Sequence, residues 1–396
     1  MKNHIFKKII LLLLLNSIFS SCTETYPLLS NAYEEAIVVE ATITNELKNQ
    51  EIKISKTSKL EEEGIKRETG ATVSVTDNQG NVYMFEEQSG GFYTSRLAFK
   101  AEPSITYSLN ITTADGKTYE SSKENLTTEN NIESLVSEVI TDEMLGRGVQ
   151  IKVNSYDPNT TSKYYRYEYE ETYKIITPKW RAEKLIVTGP QTLGLVKNST
   201  ESRICYTTKN STDIILTKTS DLKEDRVDFQ IRFISDQNYI LSHRYSVLVK
   251  QYVQNLESYT FRKTMKEISS SESILSPKQP GFINGNIKCT SNRDEKAIGF
   301  FEVSSMSSKR IFFNYSDLFP GEKTPPYFTN CQEEEYKFCF GFSIPACQGE
   351  ALIKGINGGT VTYYSNADNT SYQVVPVECG DCTSFSNNEK PAFWID

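Results

Sequence analysis

Histidine is almost missing from this chain: there are two among 396 residues. His4 lies in a segment expected to be cut away, so only His243 remains. Zinc hydrolases built on paired histidines are thereby excluded, and any Ser-His-Asp or Cys-His arrangement would have to pass through His243. That residue sits in Ser242-His243-Arg244-Tyr245, at the start of an expected strand, where an edge histidine is the simpler reading. Long apolar runs are missing too. The longest, Ile9 to Leu15, falls well short of the roughly 20 residues a permanent membrane span needs. Basic patches are also lacking, since 43 Lys and Arg stand against 51 Asp and Glu for a net charge of −8. Such a chain repels phosphate backbones, so nucleic acid is not an expected partner. No motif of a catalytic, cofactor-binding or metal site stands out, and none is assigned.

What is present begins at the N-terminus. Lys2, Lys7 and Lys8 precede the apolar run, and Ser20-Ser21-Cys22 follows it. A charged start, a short apolar middle and small residues at the cut predict a signal peptide over residues 1–21. The cysteine at the cut predicts lipidation of Cys22 as the mature N-terminus, although Phe19 is bulkier than the residue usual three places before it. Two or more acyl chains suffice for a stable anchor. Removal of three lysines takes the net charge to −11. Residues 22–33, with Pro27, suit a short tether.

From residue 34 the pattern is that of strands. Ile37, Val39, Ala41 and Ile43 alternate, and Ile52 and Ile54 form a second short run. Lys59 to Arg67 reads as a solvated charged loop. Val73 and Val75 face inward in a strand that turns at Asn78-Gln79-Gly80 and returns, a hairpin by its alternation and turn residues. Tyr107 and Leu109 supply another strand, and Ala114-Asp115-Gly116 turns into a last one through Tyr119. Short strands at this spacing predict an Ig-like or transthyretin-like β-sandwich over 34–124. A larger β-rich domain with one α-helix is expected over 125–396, so the fold class is mainly β.

In that second region, Tyr164 to Ile176 puts Tyr165, Tyr167, Tyr169 and Tyr173 on one face and Arg166, Glu168, Glu170 and Lys174 on the other. Cross-strand aromatic packing accounts for the tyrosines, with a platform for a sugar ring as the rival. Phe229, Ile231 and Phe233 alternate in a later strand. The period then changes. Phe261, Met265 and Ile268 lie at i, i+4 and i+7, which predicts one helix over Gln254 to Ser269, followed by a Ser/Pro-rich loop to Pro280.

Seven cysteines remain once Cys22 is set aside: Cys205, Cys289, Cys331, Cys339, Cys347, Cys379 and Cys382. In an oxidising compartment they predict up to three disulfides and one thiol over, with the pairing open. Cys379-Gly380-Asp381-Cys382 lacks the following helix of a redox centre, and the spacing of eight between Cys331, Cys339 and Cys347 is wrong for a zinc knuckle.

Several segments together carry a family resemblance. They are Ile37 to Asn45, Gly70 to Asp77, Tyr107 to Tyr119, Arg244 to Tyr252, Gly281 to Ile287, and the end with Cys379-Gly380-Asp381-Cys382 and Lys390-Pro391-Ala392-Phe393-Trp394. In combination they resemble the Bacteroidota lipoproteins of domain-of-unknown-function family 4249. A tryptophan or other aromatic usually follows the cysteine matching Cys205, and here the tyrosine Tyr206 fills that place. The resemblance implies an outer-membrane lipoprotein, often encoded beside TonB-dependent receptors, and carries over no catalytic residue. The expected function is that of a non-enzymatic accessory to a TonB-dependent transporter, capturing substrate or capping the barrel. An adhesion or scaffold lipoprotein is the alternative, and a carboxylate-based hydrolase a distant third. Whether the anchored protein faces the cell surface or the periplasm is open, since Thr23-Glu24-Thr25 offers a single acid.

Overall fold

The computed structural model describes residues 35–58, 62, 64–270, 283, 285–341, 346–368 and 370–396. The signal peptide, Cys22, the tether, part of the charged loop and the Ser/Pro-rich loop lie outside the described residues. The chain is mainly β.

In the first body, strand Ile37–Thr44 buries Ile37, Val39, Ala41 and Ile43, and Glu51–Lys56 beside it buries Ile52 and Ile54. The hairpin Thr72–Asp77/Val82–Ser89 contributes Val73, Val75 and Phe85, and Thr106–Thr112 adds Tyr107, Leu109 and Ile111. These residues stand far apart along one continuous hydrogen-bonded path yet share a single core. The sheet is therefore folded over on itself as a sandwich, with its corner near the register slip between Glu87 and Ser89. Both ends of the path come from beyond residue 124. Ile287–Cys289 pairs with Thr118–Ser121, and Ala297–Ser304 runs parallel to Ile37–Thr44 over eight residue pairs. Parallel neighbours need a long crossover, and here it runs through the rest of the first sandwich and most strands of the second body.

Two glycines and an asparagine close this sandwich. A Cβ on Gly285 would overlap the Gly299 carbonyl, and a Cβ on Gly299, at φ +146°, would overlap the carbonyl of Val39. Asn286 acts as a surrogate strand partner. Its Nδ2 donates to the Phe301 carbonyl at 2.9 Å and to Glu124 Oε1 at 2.9 Å, and its Oδ1 accepts from the Phe301 N–H at 2.7 Å.

The second body packs two sheets together. Tyr164–Ile176 lies between Arg244–Gln254 on one side and Ile204–Asn210 and Ile215–Lys218 on the other, with Met306–Asn314 beyond. The facing sheet is Ile132–Asp142, Gly146–Asp157 and Asp225–Ser235. Tyr165, Tyr167 and Tyr173 are fully buried between them. Their hydroxyls are satisfied inside the core: Tyr165 donates to the Ser162 carbonyl at 2.8 Å and Tyr167 to Gln251 Oε1 at 2.9 Å. Tyr165, Tyr167 and Tyr173 are core and closed to a sugar, while Tyr169 packs partly buried against that core. The expected inward alternation of Phe229, Ile231 and Phe233 breaks at the last position. A register slip opposite Ile151 and Lys152 turns Ile234 inward, and Phe233 lies over Gly148 instead.

The expected helix spans Leu256–Ser270. Gln254 is the last residue of the preceding strand, and Asn255 begins the helix by accepting the Ser258 N–H at 2.8 Å. Among the described residues three shorter helices join it: Tyr315–Leu318, Gly349–Asn357 and Val377–Gly380. The C-terminal end also holds a small sheet of Glu334–Lys337, Ser371–Pro376 and Val361–Asn366. Six of the seven cysteines pair, as Cys205–Cys382, Cys331–Cys379 and Cys339–Cys347. Cys289 is a buried thiol in the first core. Cys379 and Cys382 thus reach different partners.

Candidate functional site

Strand alternation that buries tyrosines must turn their neighbours outward. Arg166 and Glu168 therefore stand on the outer face of the second sandwich, opposite Tyr252 and Lys250 on the adjoining strand. The outer face of the first sandwich, carrying Glu40, Glu51, Lys53 and Phe300, lies across from them, and Phe261, Arg262 and Met265 of the long helix join the lining. The cleft so formed has a volume of about 500 Å³. A second hollow of about 450 Å³ shares Arg166, Glu168, Lys250 and Arg262 with it and continues toward Asn210–Ile215. That size suits a small organic ligand.

The floor of the cleft is an ionic network drawn from three strands and a helix. The Arg166 guanidinium stacks 3.8 Å above the Tyr252 ring and bonds Glu168, while the Tyr252 hydroxyl donates to Glu168 at 3.0 Å. Glu302, 3 % exposed, comes from the first sandwich. It accepts from Arg262 Nε at 3.2 Å and Nη2 at 3.0 Å, from Gln254 at 3.3 Å and from Ser304, with Arg166 Nε 3.8 Å away. Burial works against ionising Glu302, but the charges of Arg166 and Arg262 outweigh it and hold the carboxyl at about 2. For Glu168 too, burial is outweighed by Arg166 and by the Tyr252 hydroxyl, and its pKa falls. Burial and then repulsion by Arg166 lower the pKa of Arg262. One carboxylate thus ties both sandwiches and the helix together. Buried Arg166 Nε and Gln254 Oε1 have no hydrogen-bond partner, a gap that a fully satisfied structural network would not leave.

Other residues singled out by sequence lie elsewhere. His243 is half-buried beside a separate surface hollow with Lys174 and Asp396. Burial, helped by the charge of Lys174, lowers its pKa. Among the described residues no group of three or more His, Cys, Asp and Glu is placed to hold a metal ion, and no helix is long and apolar enough to cross a membrane. The ionic floor was missed from sequence because its members come from positions 166, 168, 252, 262 and 302. One signal was visible: Glu302 interrupts the apolar run Ile298 to Val303, and an acid there needs a partner.

Fold and site define a mainly β protein of two packed sandwiches with a charged cleft between them. The chain belongs to the family described as domain of unknown function (DUF4249), whose model matches residues 23–310. The disulfide-linked end beyond Arg310 lies outside the matched span. No curated protein matches. Among solved structures, a DUF4785 family protein from Legionella pneumophila subsp. pneumophila str. Philadelphia 1 is 7 % identical over 54 % of this chain and 51 % of that chain, with a TM-score of 0.16. The chain thus spans about half of that protein, a likeness too slight to bear on fold or function.

Proposed function

We propose that this protein is a non-enzymatic lipoprotein, anchored to the outer membrane through Cys22, that serves a TonB-dependent transporter by capturing its substrate. The observation that carries the capture role is the cleft, where two rigid sandwiches face each other across an ionic floor. The Lys2–Cys22 segment supports the anchor, and the resemblance noted above supports the transporter. The test is affinity purification of the full chain from gently solubilised membranes of its native cell. Stoichiometric recovery of an outer-membrane barrel, together with a transport defect on deletion, is the expected result. Recovery as a lone species, with no transport defect, would overturn the assignment.

A further inference from the structure

We propose that the cleft binds a short peptide bearing a free carboxylate and an apolar side chain, an assignment that rests on the capture reading and names its cargo. Charge is the first argument. On the wall that carries Arg166, Arg262 and Lys250, the ion-pair partners are Glu168 and Glu302, which leaves one positive charge over on that wall. Lys250 is the one without an ion pair among the described residues, since Glu168 opposite it is already bonded to Arg166 and Tyr252. On the facing wall, Glu40 and Glu51 make no ion pair among the described residues, and with Lys53 between them they leave one negative charge over. The two walls therefore carry opposite unmatched charges, as a zwitterion requires.

The apolar part of the cleft is the second argument. Phe261 and Met265 lie one helical turn apart, and the Phe261 ring stands 5.8 Å from that of Phe300. An aliphatic side chain placed there gains from leaving water. A neutral sugar would cover both unmatched charges without answering either, at a desolvation cost. A polyanion would meet the Glu40 and Glu51 wall.

Calorimetric titration of the detergent-solubilised full chain tests this, with trileucine, its C-terminal amide, its N-acetyl form and maltohexaose as probes. Trileucine is expected to bind at one saturable site, and the amide and the N-acetyl form about tenfold more weakly each. Lys250→Gln is expected to erase the difference between acid and amide while the unfolding temperature stays unchanged, and Met265→Asp to weaken every peptide. Equal affinity for acid and amide would overturn the assignment, as would no peptide binding at all. Saturable binding of maltohexaose that Met265→Asp abolishes would also overturn the peptide class, while leaving capture by this cleft in place. Loss of transporter co-purification with trileucine binding intact would strike the transporter role and support the peptide site.

Discussion

The first sandwich and the C-terminal end are held by different means. The first buries a near-unbroken series of alternating apolar side chains, from Ile37 through Leu109 to Val303, and closes by backbone contact at Gly285 and Gly299. The end beyond residue 330 places few side chains in a core, Leu352, Val374 and Val375 among them, and relies on three disulfides. Burial accumulates locally, strand by strand, whereas a disulfide acts on the unfolded chain by closing a loop. The bridges close very different loops, with sequence separations of 177, 48 and 8. In the loop-closure account these are worth about 5, 4 and 2.5 kcal/mol.

The largest expected effect follows from that contrast. Cys205→Ala with Cys382→Ala removes the longest bridge and should cost about 5 kcal/mol, against about 2.5 kcal/mol for Cys339→Ala with Cys347→Ala. Hydrogen exchange should show protection lost beyond residue 330 and kept in Ile37–Thr44 and Thr106–Thr112. Uniform loss in all segments would mean that the two regions unfold as one unit, and the contrast between them would fail.

Glu302 sits where the first and second sandwiches meet and tests whether they depend on each other. Glu302→Gln leaves Arg166 and Arg262 without their shared carboxylate, and removal of one partner from a buried pair typically costs about 3–5 kcal/mol. The same residue sets an acid dependence. Its pKa is lowered in the folded state, from 4.5 to about 2, so its contribution is fully present above pH 4.5 and lost as pH falls toward 2. The shift corresponds to about 3 kcal/mol. Denaturant titrations between pH 7 and pH 2 should show this loss in the native protein and its absence in Glu302→Gln. Parallel acid profiles for the two would remove Glu302 from the account.

The same contrast decides what sequence could show. Alternation is local, so the inward faces of Ile37–Thr44, Thr72–Asp77 and Tyr164–Ile176 were legible residue by residue. The return of Ala297–Ser304 to the first sheet was not, because parallel pairing with Ile37–Thr44 leaves no mark within either strand. Phe233 misled because one inserted residue in the ladder reverses the faces beyond it. The cysteines announced bridges but not partners, which depend on loops far apart in the chain. Ile132–Asp142 went unseen because its outer half turns Val136 and Val139 to solvent and so breaks the alternation. Of the cleft, only the outward turn of Arg166 and Glu168 could be read in advance. Their partners Tyr252, Arg262 and Glu302 are brought in by two other strands and a helix.

The smallest effect concerns how the first sandwich closes. Gly299→Ala combines two penalties, a backbone conformation at φ +146° that side-chain-bearing residues avoid and a Cβ driven into the Val39 carbonyl. Gly80→Ala carries only the first kind, at φ +89° in a turn with nothing within 4 Å of its Cβ. Strain alone is worth about 1 kcal/mol, and the pair together about 1–3 kcal/mol, so the difference in unfolding free energy between the two variants isolates the close approach of strands Ile37–Thr44 and Ala297–Ser304. A larger loss for Gly299→Ala, with exchange protection falling first along that parallel pair, is the expected outcome. Equal losses would show that the parallel seam yields without cost, and that the antiparallel strands alone hold the sandwich shut.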